Sequence, residues 1–119
     1  MTTNEVAKRL VEYFNAGEME KPYTELYSSD IVSVEPSGGE FMKCTGMAEV
    51  MKKGQWWNDT FEVHSSSASQ PLVADDWFTL TFTMDTTHKP SGIRSQTSEV
   101  AVYRVHEGKI VYEEFFYTS

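Results

Sequence analysis

Reactive chemistry in this chain has to come from carboxylates, three histidines and a single thiol. Its 119 residues hold eighteen Asp and Glu, three His and one Cys, Cys44. There is no Gly-rich phosphate loop, no dinucleotide fingerprint and no nucleophile elbow, so covalent catalysis and nucleotide cofactors have no sequence support. His64, His88 and His106 are scattered, without the spacing that lets two imidazoles share a metal ion. Cys44 lacks a sequence context that would activate a thiolate and reads as a small buried residue. What remains is a carboxylate in an apolar cleft. Burial and a neighbouring carboxylate both oppose ionisation, raise the pKa and let such a group shuttle protons near neutral pH. Proton transfer of this kind needs no metal and no cofactor, only placed carboxylates and a dry cavity.

Composition narrows the partners. Ten Lys and Arg against eighteen Asp and Glu leave a formal charge of −8, which argues against nucleic-acid phosphate and against an anionic membrane surface. Hydrophobic residues make up 39% and aromatics 13%, enough buriable area to exclude disorder of the whole chain. A lone cysteine excludes an internal disulfide framework. No apolar run approaches the ~18 residues of a membrane span, and Met1–Lys8 lacks the apolar stretch of a signal peptide, which makes the cytoplasm the default expectation.

The elements that must position any site change period halfway along the chain. Val6, Leu10, Val11 and Phe14 recur at helical spacing over Glu5–Phe14, with Thr3 or Asn4 as cap and Gly17 as stop. A second helix is expected over Glu18–Tyr27, its regular part starting near Lys21 because Pro22 suits only a first turn. Ile31–Pro36 alternates as a short strand, with Ile31, Ser33 and Glu35 on one side, and Phe41–Thr45 reads as a further extended piece. A third helix spans Met47–Asn58, with Met47, Val50 and Met51 on one stripe and Gly54 weakening it. Thereafter the period is two. Strands are expected at Phe61–Ser69, Leu72–Asp85 with a bend at Ala74-Asp75-Asp76, Arg94–Val105 and Ile110–Tyr117. Thr86–Ile93 reads as a loop and His106-Glu107-Gly108-Lys109 as a hairpin turn. Helices first and consecutive antiparallel strands afterwards signal an α+β domain.

Four stretches carry a resemblance. They are Asn15-Ala16-Gly17-Glu18, Leu26-Tyr27-Ser28-Ser29-Asp30-Ile31-Val32-Ser33-Val34-Glu35-Pro36, Cys44-Thr45-Gly46-Met47, and Val102-Tyr103-Arg104-Val105-His106-Glu107-Gly108-Lys109-Ile110-Val111. In this order the chain resembles the SnoaL-like branch of the nuclear transport factor 2 superfamily, relatives of polyketide cyclases and of ketosteroid isomerase. The resemblance covers essentially residues 1–119 as one domain. It implies an NTF2-like cone, a curved antiparallel sheet wrapped around three N-terminal helices, with a pocket between them and homodimerisation through the sheet. In the isomerase branch the base is an acidic residue directly before a proline, and Glu35-Pro36 matches it. The helix-one tyrosine that donates to the oxyanion in that branch is matched by Leu10, with Tyr13 nearby but off that face. Its protonated strand acid is matched by Ala101, with Glu99 one pleat earlier. These two departures argue against steroid isomerisation. Glu113 is the nearest match to the acid/base carboxylate of the cyclase branch.

Strand parity adds detail. Phe78, Leu80, Phe82 and Met84 form the apolar side of their strand, against Thr79, Thr81 and Thr83. Carried to the last strand, the isomerase alignment turns Val111, Glu113, Phe115 and Tyr117 inward and Ile110, Tyr112, Glu114 and Phe116 outward. A strand apolar on both sides implies that both faces are covered, so the convex face, threonine row included, is expected to meet a second copy of the chain. The expected pocket walls are Leu10, Tyr13 and Phe14 from helix one and Trp56 and Trp57 from helix three. The sheet adds the four residues from Phe78 to Met84, then Ala101, Tyr103, Phe115 and Tyr117. Glu35, Glu99, Glu113 and His64 are the acid/base candidates. Each glutamate could instead sit at the rim or bond Arg94, Arg104 or an indole. His64 points away if Phe61 and Val63 face the core. Two readings of function stay open: acid/base isomerisation, cyclisation or hydration of a small, largely apolar organic molecule with Glu35 as base, or a non-catalytic ligand-binding or dimerisation module.

Overall fold

A computed structural model describes residues 1–36 and 38–118. Helix α1 (Thr3–Asn15) starts one residue earlier than its expected caps. The Thr2 hydroxyl accepts the Glu5 amide at 3.1 Å and a Glu5 carboxylate oxygen accepts the Thr2 amide at 2.9 Å, a reciprocal capping box. Its buried face is Val6, Ala7, Leu10 and Tyr13. Gly17, at φ +73°, turns the chain out of the helix. Helix α2 (Lys21–Glu25) is a single turn with Pro22 near its start. Tyr27 does not end it, as the sequence suggests, but opens strand β1 (Tyr27–Val34), where it pairs with Ile110.

Strand β2 (Lys43–Thr45) lies antiparallel on β1 and leads into helix α3 (Met47–Thr60). The expected methionine stripe is not the covered face of α3. Met51 is 50% exposed, while Val50 is sealed. The covered stripe is Val50, Lys53 and Trp57, spaced i, i+3 and i+7. Strands β3 (Phe61–Ala68), β4 (Leu72–Ala74), β5 (Trp77–His88), β6 (Ile93–His106) and β7 (Lys109–Phe116) follow. The bend near Ala74 is a full hairpin: Ala74 pairs with Trp77 across Asp75, which takes φ +57°. The loop expected at Thr86–Ile93 is shorter, because β5 and β6 stay paired out to His88 and Ile93. Glu107 and Gly108, both at positive φ, join β6 to β7.

The sheet runs in the order β2-β1-β7-β6-β5-β3, with β4 alongside β5. It is curved, open and antiparallel except at one seam, where β1 and β7 are parallel. Two bulges switch parity. Opposite Arg104 and Val105, β7 carries Val111 as an extra residue. Ile110 is therefore turned inward and fully buried, against the expectation that it faces out, while Glu113 and Phe115 keep the inward side. His64 is the second extra residue, opposite Thr86 and Asp85. It parts company with Ser66, whose hydroxyl turns in to donate to the Phe14 carbonyl at 2.9 Å.

The helices cover the concave face. Phe14 stacks on Phe82 at 3.8 Å between centroids, Phe78 on Tyr103 at 4.8 Å, and Tyr103 meets Phe115 edge-on at 6.4 Å. Gly54 is the close-approach point of α3: a Cβ there would lie 2.9 Å from the Tyr23 hydroxyl. Its helix-weakening character is thus tied to the seating of Tyr23. Gly54→Val is expected to displace the Tyr23 ring and destabilise the fold by about 1–3 kcal/mol, read as a lower urea midpoint; a midpoint equal to wild type would show that the ring yields freely.

Candidate functional site

The parallel seam brings a carboxylate and its partners together. Ser33 on β1 lies beside Glu113 on β7, and both side chains point under the helices. Glu113 is 3% exposed. Its Oε2 accepts the Ser33 hydroxyl at 2.7 Å and its Oε1 accepts the Tyr27 hydroxyl in a short hydrogen bond. Lys53 comes down from α3 and donates to the same Ser33 oxygen. A second Lys53 proton goes to Glu35 Oε2 at 3.0 Å, and Tyr117 donates to Glu35 Oε1 at 2.9 Å. The ammonium also lies 5.2 Å from the Phe115 ring centre. A continuous polar chain therefore runs from buried Glu113 through Ser33 and Lys53 to Glu35 and Tyr117. The Lys53 and Glu35 side chains are 13% and 21% exposed.

Glu99 completes the group. It sits on the inward side of β6, two residues before Ala101, and its carboxyl makes no hydrogen bond among the described residues. Burial, with the negative charges of Glu35 and Glu113, pushes its carboxyl up to about 7, while Lys53 opposes the shift. Glu113 is also raised by burial, against the pull of Lys53 and of its two hydroxyl donors. Tyr27 and Tyr103 are driven well above the ordinary phenol range by burial and by the Glu113 charge.

The three glutamates of the sequence reading thus gather on one face; His64 does not join them. It is exposed on its bulge, with Nε2 2.7 Å from the Thr87 hydroxyl. Arg94 and Arg104, the arginines that could have held a glutamate, are paired with Asp85 and Asp76. Leu10, Phe78, Leu80, Phe82, Ala101 and Tyr103 form the sealed floor under the polar chain, each 3% exposed or less. Tyr13 is buried on the far side beneath the Arg9 guanidinium, and Met84 is half-buried. Trp57 stacks on Phe61 at 5.2 Å, whereas Trp56 is 47% exposed, tilted against Phe41 at 5.5 Å and edge-on to Phe61 at 6.4 Å. Two open surface grooves, of about 550 and 340 Å³, share Gly17, Met19 and Val63 and touch none of the three glutamates.

Sequence reasoning passed over Lys53, Ser33 and Tyr27. Two signals were present. Lys53 lies three residues after Val50 and four before Trp57, on the face a helix must bury. Ser33 shares its parity with Ile31. Tyr27 gave none, because it reads as the end of a helix.

Among the described residues, no helix is long and apolar enough to cross a membrane and no three His, Cys, Asp or Glu side chains form a metal-ligand set. The curated proteins contain no match to the sequence. Among solved structures, a Mesorhizobium loti protein provisionally assigned as a SnoaL-like polyketide cyclase is 36% identical, with 98% of this chain and 100% of that one covered and a TM-score of 0.93. A provisionally assigned isomerase from Bacillus subtilis shares the fold at 21% identity, covering 99% and 90% of the two chains with a TM-score of 0.82. A Catenulispora acidiphila protein of ketosteroid isomerase-like fold, in complex with trimethylamine, does so at 14% identity, 96% and 85% coverage and a TM-score of 0.76. A family profile for the SnoaL-like domain matches residues 1–117. With the cone, the covered concave face and this profile in agreement, the chain belongs to the SnoaL-like family of the NTF2-like fold.

Proposed function

We propose that the chain is a cofactor-independent acid/base enzyme that isomerises, cyclises or hydrates a small, largely apolar organic molecule at the mouth of the cone. The observation that carries this reading is the contrast between two neighbouring carboxyls. Glu35 is ion-paired with Lys53 at 3.0 Å and accepts a hydrogen bond from Tyr117 at 2.9 Å. Glu99, its carboxyl without a hydrogen-bond partner among the described residues, is raised to about 7 by burial and by the charges of Glu35 and Glu113. Two neighbouring carboxyls, one ion-paired and hydrogen-bonded, the other buried without a hydrogen bond to its side chain and raised toward neutrality, divide naturally into base and acid. Glu35 is the base and Glu99 the acid. Glu113, held by Tyr27 and Ser33, positions Ser33 and through it Lys53.

This reading includes a second copy of the chain on the convex face. Thr81, Val100 and Phe116 are neighbours there, as are Trp77, Arg104 and Tyr112. Trp77, Val100 and Phe116 are 40–46% exposed on this one face, and large apolar side chains left open together are of the kind that marks contacts. The non-catalytic alternative keeps the dimer and the ligand but predicts no proton exchange.

Three measurements test these statements. Incubation of small carbonyl compounds in deuterated water is expected to give enzyme-dependent label at carbon, lost in Glu35→Gln. The rate should fall as pH rises through about 7, because an acid must be protonated to act, and Glu99→Gln should remove that limb. Label incorporation unchanged in Glu35→Gln would remove it from the mechanism.

Stability gives an independent reading of Glu99. Its folded pKa lies above the unfolded one, so the folded state binds more protons between the ordinary carboxyl value of 4.5 and about 7. Wild type should therefore lose stability as pH rises across that window and stay lower above it. Glu99→Gln should be the more stable protein above pH 7, with the gap closing toward pH 4.5; parallel denaturation curves would contradict the burial of this carboxyl. For the dimer, sedimentation at micromolar concentration should give twice 13.6 kDa, and a mass of one chain would reject it.

A further inference from the structure

The isomerase-like pattern lacks its oxyanion donors at Leu10 and Ala101, and both positions are sealed in the apolar core. A reaction that moves a proton from carbon still needs something to hold the negative charge that develops. Building on the acid/base reading above, with its proton taken from carbon beside a carbonyl, we propose that Lys53 is the residue that stabilises the oxyanion.

Three observations converge on Lys53. Its ammonium is nearly buried, with the side chain 13% exposed, and no helix spends a lysine on its covered face without a partner for the charge. Two of its three protons are used, on Ser33 and on Glu35, and among the described residues the third has no acceptor. Its anionic partner is the carboxylate assigned as base. That last point gives the charge logic. Before reaction the ammonium is balanced by Glu35 at 3.0 Å. When Glu35 takes the proton, the C–H electron pair becomes the new C=C bond and the carbonyl π pair moves onto oxygen. Glu35 is then neutral and the oxygen is negative. Lys53 exchanges one counter-ion for the other, so a single unit of negative charge stays beside it throughout. Glu99 can then deliver its proton to that oxygen, closing the balance with an enol and a Glu99 carboxylate. Ser33, fixed on Glu113, holds the ammonium in place during the exchange.

The same logic specifies the test. 4-Nitrophenolate is a planar oxygen anion and a coloured stand-in for an enolate. Glu35→Gln removes the resident counter-ion and should leave Lys53 free to take the phenolate, so this variant is expected to bind it at least tenfold more tightly than wild type. Adding Lys53→Met to Glu35→Gln should lose that gain, and adding Lys53→Arg should keep part of it, which separates loss of charge from loss of fold. A lysine that serves only as structural counter-ion predicts no gain in Glu35→Gln, and that result would overturn the proposal. A gain retained in the Glu35→Gln, Lys53→Met variant would overturn it as well. Both outcomes are independent of deuterium exchange: tight phenolate binding by Glu35→Gln in a protein that exchanges no carbon proton supports the oxyanion site while refuting the enzyme.

Discussion

A carboxyl group sealed beneath three helices constrains the rest of this molecule. Burying a polar group without hydrogen bonds costs about 1–3 kcal/mol in protein mutational terms, and a bare carboxylate costs far more. Glu113 meets that demand with two hydroxyls, and both come from β1. The sheet's one parallel seam is where those donors meet it. A parallel β1–β7 contact sets Ser33 beside Glu113, and the register shift between Tyr27 and Val32 lets both donors reach the same group. Lys53 then follows from Ser33, Glu35 from Lys53, and Tyr117 from Glu35.

The electrostatic consequence is a graded site. Glu113 is shut away, Lys53 and Glu35 reach solvent slightly, and Glu99 stands apart from the hydrogen bonds yet inside the field of all three. Similar residue types therefore behave differently within one small volume. The exposed pairs elsewhere, Arg9 with Glu25 and Arg94 with Asp85, are of the solvated kind that contributes little. Charge matters in this protein where water is scarce.

Much of the architecture could be read from the residues, for identifiable reasons. Strict alternation from Phe78 to Met84 fixes which side of β5 is buried, and the Glu107-Gly108 turn fixes the β6–β7 hairpin. The inward placement of Glu99, Glu113 and Phe115 is implied by the isomerase-like alignment rather than by the strand period alone, which the bulge at Val111 breaks. What failed were positions where a long-range contact overrides a local pattern. A bulge at Val111 inverts Ile110, and no residue type there announces it. Tyr27 is recruited into a strand by a partner at Ile110. Lys53 looks like a solvated helix residue until the carboxylates beneath it are placed, because lysine is rarely covered unless paired. The site's acids were therefore legible, and its cation and hydroxyls were not.

The seam between the first strand and the last also bears on how the molecule comes to exist. Ser33 and Glu113 are 80 positions apart along the chain. Contacts of such separation form late, because a large loop must close before they repay its entropy. During synthesis the helices, β1 and the intervening hairpins are made first, and the inner acid follows 80 residues after Ser33. Until then Lys53 has no Glu113 beneath it and Ser33 has no carboxylate to donate to.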